Sequence, residues 1–165
     1  MKKLIFVRHG RAEEQSDNFP DFERSLTEKG KIVSAAMAAT LSEKETGRFI
    51  FVTSPAFRAY ETAFVFARVL NIDPDSMILI NALYTSASLN TIAGIVEKID
   101  NMIDTVVFFG HNPAFTEIPD RLSRDGCDFL PKSGIVCLSF RTDSWKGIVY
   151  LKGRIEYFLK PEKSS

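Results

Sequence analysis

The chain holds only two histidines, and each stands just beyond a run of apolar residues. His9 lies in "LIFVRHG" (4–10), and His111 lies in "TVVFFGHNP" (105–113). A third apolar run, "FIFV" (49–52), leads into "TSPAFRAYET" (53–62), which carries Arg58. Arg8 directly precedes His9. One histidine after a strand is more often a hydrogen-bonded structural group than a catalyst. Two of two, joined by two arginines, leave an anion site or a metal site as the readings with chemistry in them. Zinc asks for more ligands, and the nearby acids lack metal-ligand spacing. The anion reading fits better. Guanidinium is planar, permanently charged and able to hold phosphate oxygens in pairs, and Gly10 allows close backbone approach. No metal ligand and no cofactor are expected.

The elements that must position these residues follow from the pattern. Short β-rich runs at 3–7, 49–52, 77–80 and 105–109 alternate with helical periodicities. One helix is expected from Leu26 to Leu41, capped by Ser25 or Thr27, with Glu28 completing a box for Ser25. Others are expected over Phe57–Leu70 and Ser88–Ile99, and a fourth after Pro113. Strands that are apolar on both faces, separated by helices, argue for a three-layer α/β/α sandwich around a mainly parallel sheet. The end of the chain differs. "GIVCLSF" (134–140) and "GIVYLKGRIEYFL" (147–159) read as strands joined by a loop at Thr142–Lys146, forming an antiparallel C-terminal edge. In open α/β sheets, ligands sit beyond the carboxyl ends of the strands. The alternation therefore brings both histidines and both arginines to one end of the sheet.

At 165 residues, 45% hydrophobic and 25% charged, the composition is that of one globular domain. The reading is a single domain over 1–160 and a loose tail over 161–165. Twenty-one basic and 21 acidic residues give zero net charge, which offers no footing for general nucleic-acid or membrane-surface binding. "MKKLIFV" opens like a signal peptide, but its apolar run is too short, and no other run would span a membrane. Cys127 and Cys137 are isolated and read as small buried thiols of a reducing cytoplasm, with a disulfide between them as the lesser alternative.

In this order, "LIFVRHG", "RSLTEKG" (24–30), "TSPAFRAYET" and "VVFFGHNP" resemble the motifs of the histidine phosphatase superfamily, which includes phosphoglycerate mutases and acid phosphatases. The short chain and the "GHNP" version are most similar to its SixA-type phosphohistidine phosphatases. The resemblance implies that His9 is the nucleophile that takes the phosphoryl group. It implies that Arg8 and Arg58 hold the phosphoryl oxygens, and that His111 donates to the same group. Histidine can act as such a nucleophile when a neutral nitrogen faces phosphorus. Positioned cations then supply most of what the transition state needs, without a metal.

One departure bears on substrate. Many family members carry an acid after the third strand, and the matching "INALYTSAS" (80–88) has none, with Asn81 and Ala82 where it would stand. An alkoxide leaving group wants a general acid, whereas imidazole leaves more readily. The gap favours P–N over P–O substrates. Glu13, Glu14 and Glu61 are possible stand-in acids, although each also reads as an ordinary solvated or paired charge. The loop at 11–25 forms a candidate wall, with Phe19 and Phe22 as a candidate lip. No long insertion is available to close over a small molecule. The expected activity is thus a metal-independent phosphatase acting on protein phosphohistidine, its partner a histidine-containing phosphotransfer-like protein. A small phosphate ester is the alternative substrate, and a non-catalytic phosphate-binding module the alternative from another class.

Overall fold

The computed structural model describes residues 1–162. In chain order the elements are β1 (Lys2–Arg8), α1 (Glu28–Lys44), β2 (Phe49–Thr53), α2 (Phe57–Leu70), β3 (Ile78–Leu79), α3 (Ala82–Thr85), α4 (Leu89–Val96), β4 (Thr105–Gly110), α5 (Ala114–Leu122), β5 (Ile135–Phe140) and β6 (Arg154–Leu159). The six strands form one sheet in the order β3-β2-β4-β1-β5-β6. The first four run parallel, β5 runs antiparallel to β1, and β6 runs antiparallel to β5. The mainly parallel sheet with an antiparallel C-terminal side is the expected architecture. Only β6 is an edge strand there, because β5 lies between it and β1.

Alternation along each strand divides the core in two. Leu4 and Phe6 of β1, with Val106 and Phe108 of β4, pack on one face against Ile92 and Val96 of α4 and Phe115, Ile118 and Leu122 of α5. Ile5 and Val7, with Val107 and Phe109, pack on the other face against Met37 and Leu41 of α1 and Phe66 of α2. This explains the unbroken apolar runs Leu4–Val7 and Val106–Phe109, since each of their positions is buried on one face or the other.

Four local expectations are corrected. The strand at 77–80 is reduced to two residues at the sheet edge, with Ile78 and Leu79 36% and 50% exposed, because only β2 is available to cover it. The helix expected over Ser88–Ile99 ends at Val96, and the separate short α3 precedes it. Helix α1 keeps the expected Thr27 cap, whose side chain accepts from the Gly30 N–H, but it runs from Glu28 to Lys44, beyond the expected end at Leu41. The last strand begins only at Arg154. Before it, the chain dives inward to bury Trp145 and Ile148, with the Trp145 indole N–H donating to the Ile103 carbonyl at 2.9 Å. Of the expected tail, Pro161 and Glu162 carry no regular structure, and 163–165 lie outside the described residues.

Gly110 closes β4 immediately before His111, and a Cβ there would lie 2.5 Å from the buried Phe115 ring. Phe115 in turn packs edge-on against Phe6. Gly110→Ala should therefore destabilise the fold by about 1–3 kcal/mol through overpacking, measured as a lower urea midpoint at unchanged m value.

Candidate active site

Strand pairing sets the site. Arg8 of β1 lies in register with Gly110 of β4, and Thr53 of β2 with Phe109. The backbone continues the pairing one step past the strands. The His9 N–H donates to the Gly110 carbonyl at 3.0 Å, and the Ser54 N–H to the Phe109 carbonyl at 2.9 Å. Three consecutive exits from the sheet thus stand side by side, and the His9 and His111 ring centroids are 5.1 Å apart.

Each ring is held by one nitrogen. His9 Nδ1 lies 2.7 Å from the Gly10 carbonyl, which can only accept, so Nδ1 carries the proton and Nε2 keeps its lone pair. His111 Nε2 lies 2.8 Å from Ser54 Oγ. That hydroxyl also accepts from the Ala56 N–H, and His111 Nδ1 is buried with no hydrogen-bond partner. Burial holds both imidazoles neutral, with the arginine charges adding to the effect. The His9 pKa falls to about 3 and the His111 pKa to about 4.

The arginines differ in their tethers. Arg8 donates through Nη1 to the Leu130 carbonyl and lies over the Phe129 ring, while its buried Nε has no partner. Among the described residues, Arg8 Nε and His111 Nδ1 are the two buried side-chain polar atoms left unpaired. Arg58, 7% exposed, projects from the first turn of α2. Its Nη1 donates to the Asp21 carbonyl at 2.9 Å and its Nη2 to the Asp21 carboxylate at 3.0 Å. The structure thus brings together the four residues singled out by the sequence: Arg8, His9, Arg58 and His111.

The three candidate acids do not join them. Glu61 accepts from the Leu26 N–H at 2.7 Å and so anchors the loop to α2. Glu13 and Glu14 are exposed. The acid that does reach the site is Asp21, in a short 3-10 turn at Asp21–Glu23. Its carboxylate also accepts from Arg24 Nη1 at 2.9 Å and from the Tyr84 hydroxyl at 2.8 Å. Burial works to raise its pKa, but hydrogen bonds from Arg24, Tyr84 and Arg58 outweigh it and hold the carboxyl well below the usual carboxylate range. Tyr84 comes from α3, the segment where the sequence offered no acid, and its ring stands edge-on to His111 at 5.5 Å. Gly10 makes a close approach within the protein, since a Cβ would meet Ser34 Oγ at 2.6 Å and the Gly30 carbonyl at 3.2 Å. Ser133 holds the loop before β5 against β1. Its hydroxyl bonds Ser34, and its N–H reaches the Arg8 and His9 carbonyls.

Asn112 orients the loop after His111, as its side chain donates to the Leu130 carbonyl and accepts from Thr116. Among the described residues, no group of three or more His, Cys, Asp or Glu side chains is placed to hold a metal ion, and no helix is long and apolar enough to cross a membrane.

Residues 4–79 match the histidine phosphatase superfamily (branch 1). No curated protein gives a match. Among solved structures, the chain is similar to the protein histidine phosphatase SixA complexed with tungstate, at 20% identity and TM-score 0.80, covering 96% of this chain and 97% of that one. It is also similar to a protein assigned as phosphohistidine phosphatase SixA from Agrobacterium tumefaciens, at 21% identity and TM-score 0.78, covering 97% and 98%. A mycobacterial glucosyl-3-phosphoglycerate phosphatase is more distant, at 16% identity and TM-score 0.62, covering 94% and 97%. The chain carries the histidine phosphatase fold.

The neutral histidines make stability depend on pH. Both folded-state pKa values lie below the ordinary 6.5. Below pH 6.5 the unfolded chain therefore binds protons that the folded chain refuses, and stability falls as pH falls toward 4. Each group adds at most about 1.4 kcal/mol per pH unit to that slope. Urea unfolding between pH 7 and 5 should show a shallower loss for His9→Gln than for the wild type. Parallel slopes would contradict the assignment.

Proposed function

We propose that this chain is a phosphatase that works through a covalent phosphohistidine on His9 and takes protein phosphohistidine as its substrate. The observation that carries the reading is the pair of buried, unpaired nitrogens, Arg8 Nε and His111 Nδ1, on the two residues that flank a histidine with a free Nε2. Buried polar nitrogens without partners are costly, and with Nδ1 protonated a tetrahedral oxyanion satisfies both at once. The superfamily match over 4–79 supports the phosphatase class.

In this mechanism the Nε2 lone pair attacks phosphorus while Nδ1–H stays on the Gly10 carbonyl. The P–N bond forms as the bond to the leaving group breaks. Arg8 and Arg58 take the equatorial oxygens, and His111 Nδ1–H donates to one of them. Water then attacks the phosphorus, returns His9 to its neutral form and releases phosphate. Arginine supplies the positive field, so the reaction proceeds without a metal. The segment between β3 and β4 holds only α3 and α4, which leaves the strand ends open to a side chain presented by another protein. The two free thiols suit a cytoplasmic location.

His9→Ala should abolish turnover, and brief mixing of the wild type with labelled substrate should trap acid-labile, base-stable phosphate on His9. Arg58→Ala should cost about 10²-fold or more in kcat/KM, with only partial rescue by Lys, which cannot grip two oxygens. EDTA should leave activity unchanged. Phosphohistidine protein should outrun phosphoserine. The reverse order would move the chain to the small-molecule phosphomonoesterases, and no turnover of either would leave a phosphate-binding module.

A further inference from the structure

The position of Asp21 is hard to reconcile with a site built only for anions. A carboxylate bonded to the phosphate-gripping Arg58 competes for its charge. Its role as proton donor is excluded by its state, since three donors hold it ionised. Simple anchoring of Arg58 explains only one of the three hydrogen bonds to the carboxylate. An ionised carboxylate offers about four acceptor positions, two on each oxygen. Arg58 and Tyr84 fill those of Oδ2, and Arg24 fills one on Oδ1. One position on Oδ1 is left, on a side chain that is 34% exposed. Two aromatic residues adjoin the carboxylate: Tyr84, whose hydroxyl donates to Oδ2, and Phe22, the next residue in the chain. Phe22 packs edge-on against Tyr84 at 5.3 Å and against Phe57 at 5.9 Å, and Tyr84 reaches His111. An anion with a free acceptor position beside aromatic rings suits a flat cation.

Resting on the phosphohistidine reading above, we infer that Asp21 is the specificity-determining residue for the leaving group, accepting the ring N–H of a protonated phosphohistidine through Oδ1 while Phe22 and Tyr84 pack the ring. The chemistry explains why such a receptor is useful. A phosphohistidine ring is reactive when its second nitrogen carries a proton. His9 Nε2 forms the new P–N bond, the electron pair of the old bond returns to the leaving nitrogen, and the ring departs as neutral imidazole with its proton unmoved. His9, with Nδ1–H and a phosphoryl group on Nε2, becomes the cation. Asp21 favours the protonated, reactive form of the incoming ring. An ester has no cation to offer, so Oδ1 gives it nothing. The carboxylate thereby takes over the selective task of the acid absent from Asn81 and Ala82, by holding a proton already on the substrate.

The test compares kcat and kcat/KM on a phosphohistidine-bearing peptide and on 4-nitrophenyl phosphate, from pH 6.5 to 9, for the wild type, Asp21→Asn and Asp21→Glu. Asparagine keeps an acceptor for Arg58 and Tyr84 but loses the charge. Asp21→Asn should lose about 10-fold more kcat/KM on phosphohistidine than on the aryl ester. The alkaline limb of its kcat on phosphohistidine, which reports the bound ring, should move to lower pH. Asp21→Glu should retain the preference and the wild-type limb, and Glu23→Gln, an exposed neighbour, should match the wild type. Equal losses on both substrates, or an unmoved alkaline limb of kcat, would reduce Asp21 to an anchor for Arg58 and overturn the inference. Should Asp21→Asn fail to fold by thermal melting, loss of the preference in a folded Asp21→Glu overturns it as well. Activity retained by the His9→Ala variant would instead sink the underlying mechanism.

Discussion

The site depends on one constraint, the parallel register of β1, β4 and β2. Backbone hydrogen bonds align Arg8 with Gly110 and Thr53 with Phe109, and the next residue of each strand is His9, His111 or Ser54. Nothing in a loop has to search for this geometry. A slip of one residue would send Phe6 and Phe108 to the opposite layer, so the two-sided core that fixes the register also fixes the distance between the histidines. The placement of these side chains is a by-product of burial.

Burial also sets the chemistry of the side chains at those ends. Two imidazoles and two guanidiniums crowd together, and the cheapest response in a partly desolvated place is for the histidines to stay neutral. Neutrality is what a nucleophilic nitrogen requires. The arginines cannot follow, because guanidinium does not give up its proton in proteins. Asp21 takes up part of their charge through Arg58 and Arg24, and the Arg8 Nε and His111 Nδ1 nitrogens stay uncompensated. The arrangement is stable enough to fold and still short of acceptors.

The histidines, arginines and strand order were legible because each sits at a point where a period-two apolar run stops. Helix α2 was legible to the residue, since its apolar stripe is strong and its end is marked by Asn71 in the left-handed region. The third strand and the C-terminal strand were misjudged for one reason. An apolar run shows that residues will be buried, but not by what. Ile78 and Leu79 have too few neighbours at the edge, while Trp145 and Ile148 are buried by a turn rather than by pairing. Asp21 was visible only as one of five acids in a polar loop. Its partners Arg58 and Tyr84 are 37 and 63 residues away. No local spacing marks such a contact, although Asp21 and Arg24 three residues apart do suit the pair they form.

Glu61 shows how the loop that carries Asp21 can be exact without being part of the sheet. The Leu26 N–H donates to Glu61, the Glu13 N–H to the Ser25 carbonyl, and the Thr27 N–H to the Arg11 carbonyl. Ala12 and Leu26 are bridged in antiparallel fashion. Both ends of the loop are therefore clipped together against α1 and α2, and the turn at Asp21–Glu23 is presented from a closed base. The acid that seemed a candidate donor holds the loop, and the acid that seemed an obstacle faces the pocket. This division suits an enzyme of this architecture. On the proposed mechanism, bond making belongs to strand ends that the core cannot allow to move, whereas discrimination among leaving groups belongs to a clipped loop whose tip can change without disturbing the register.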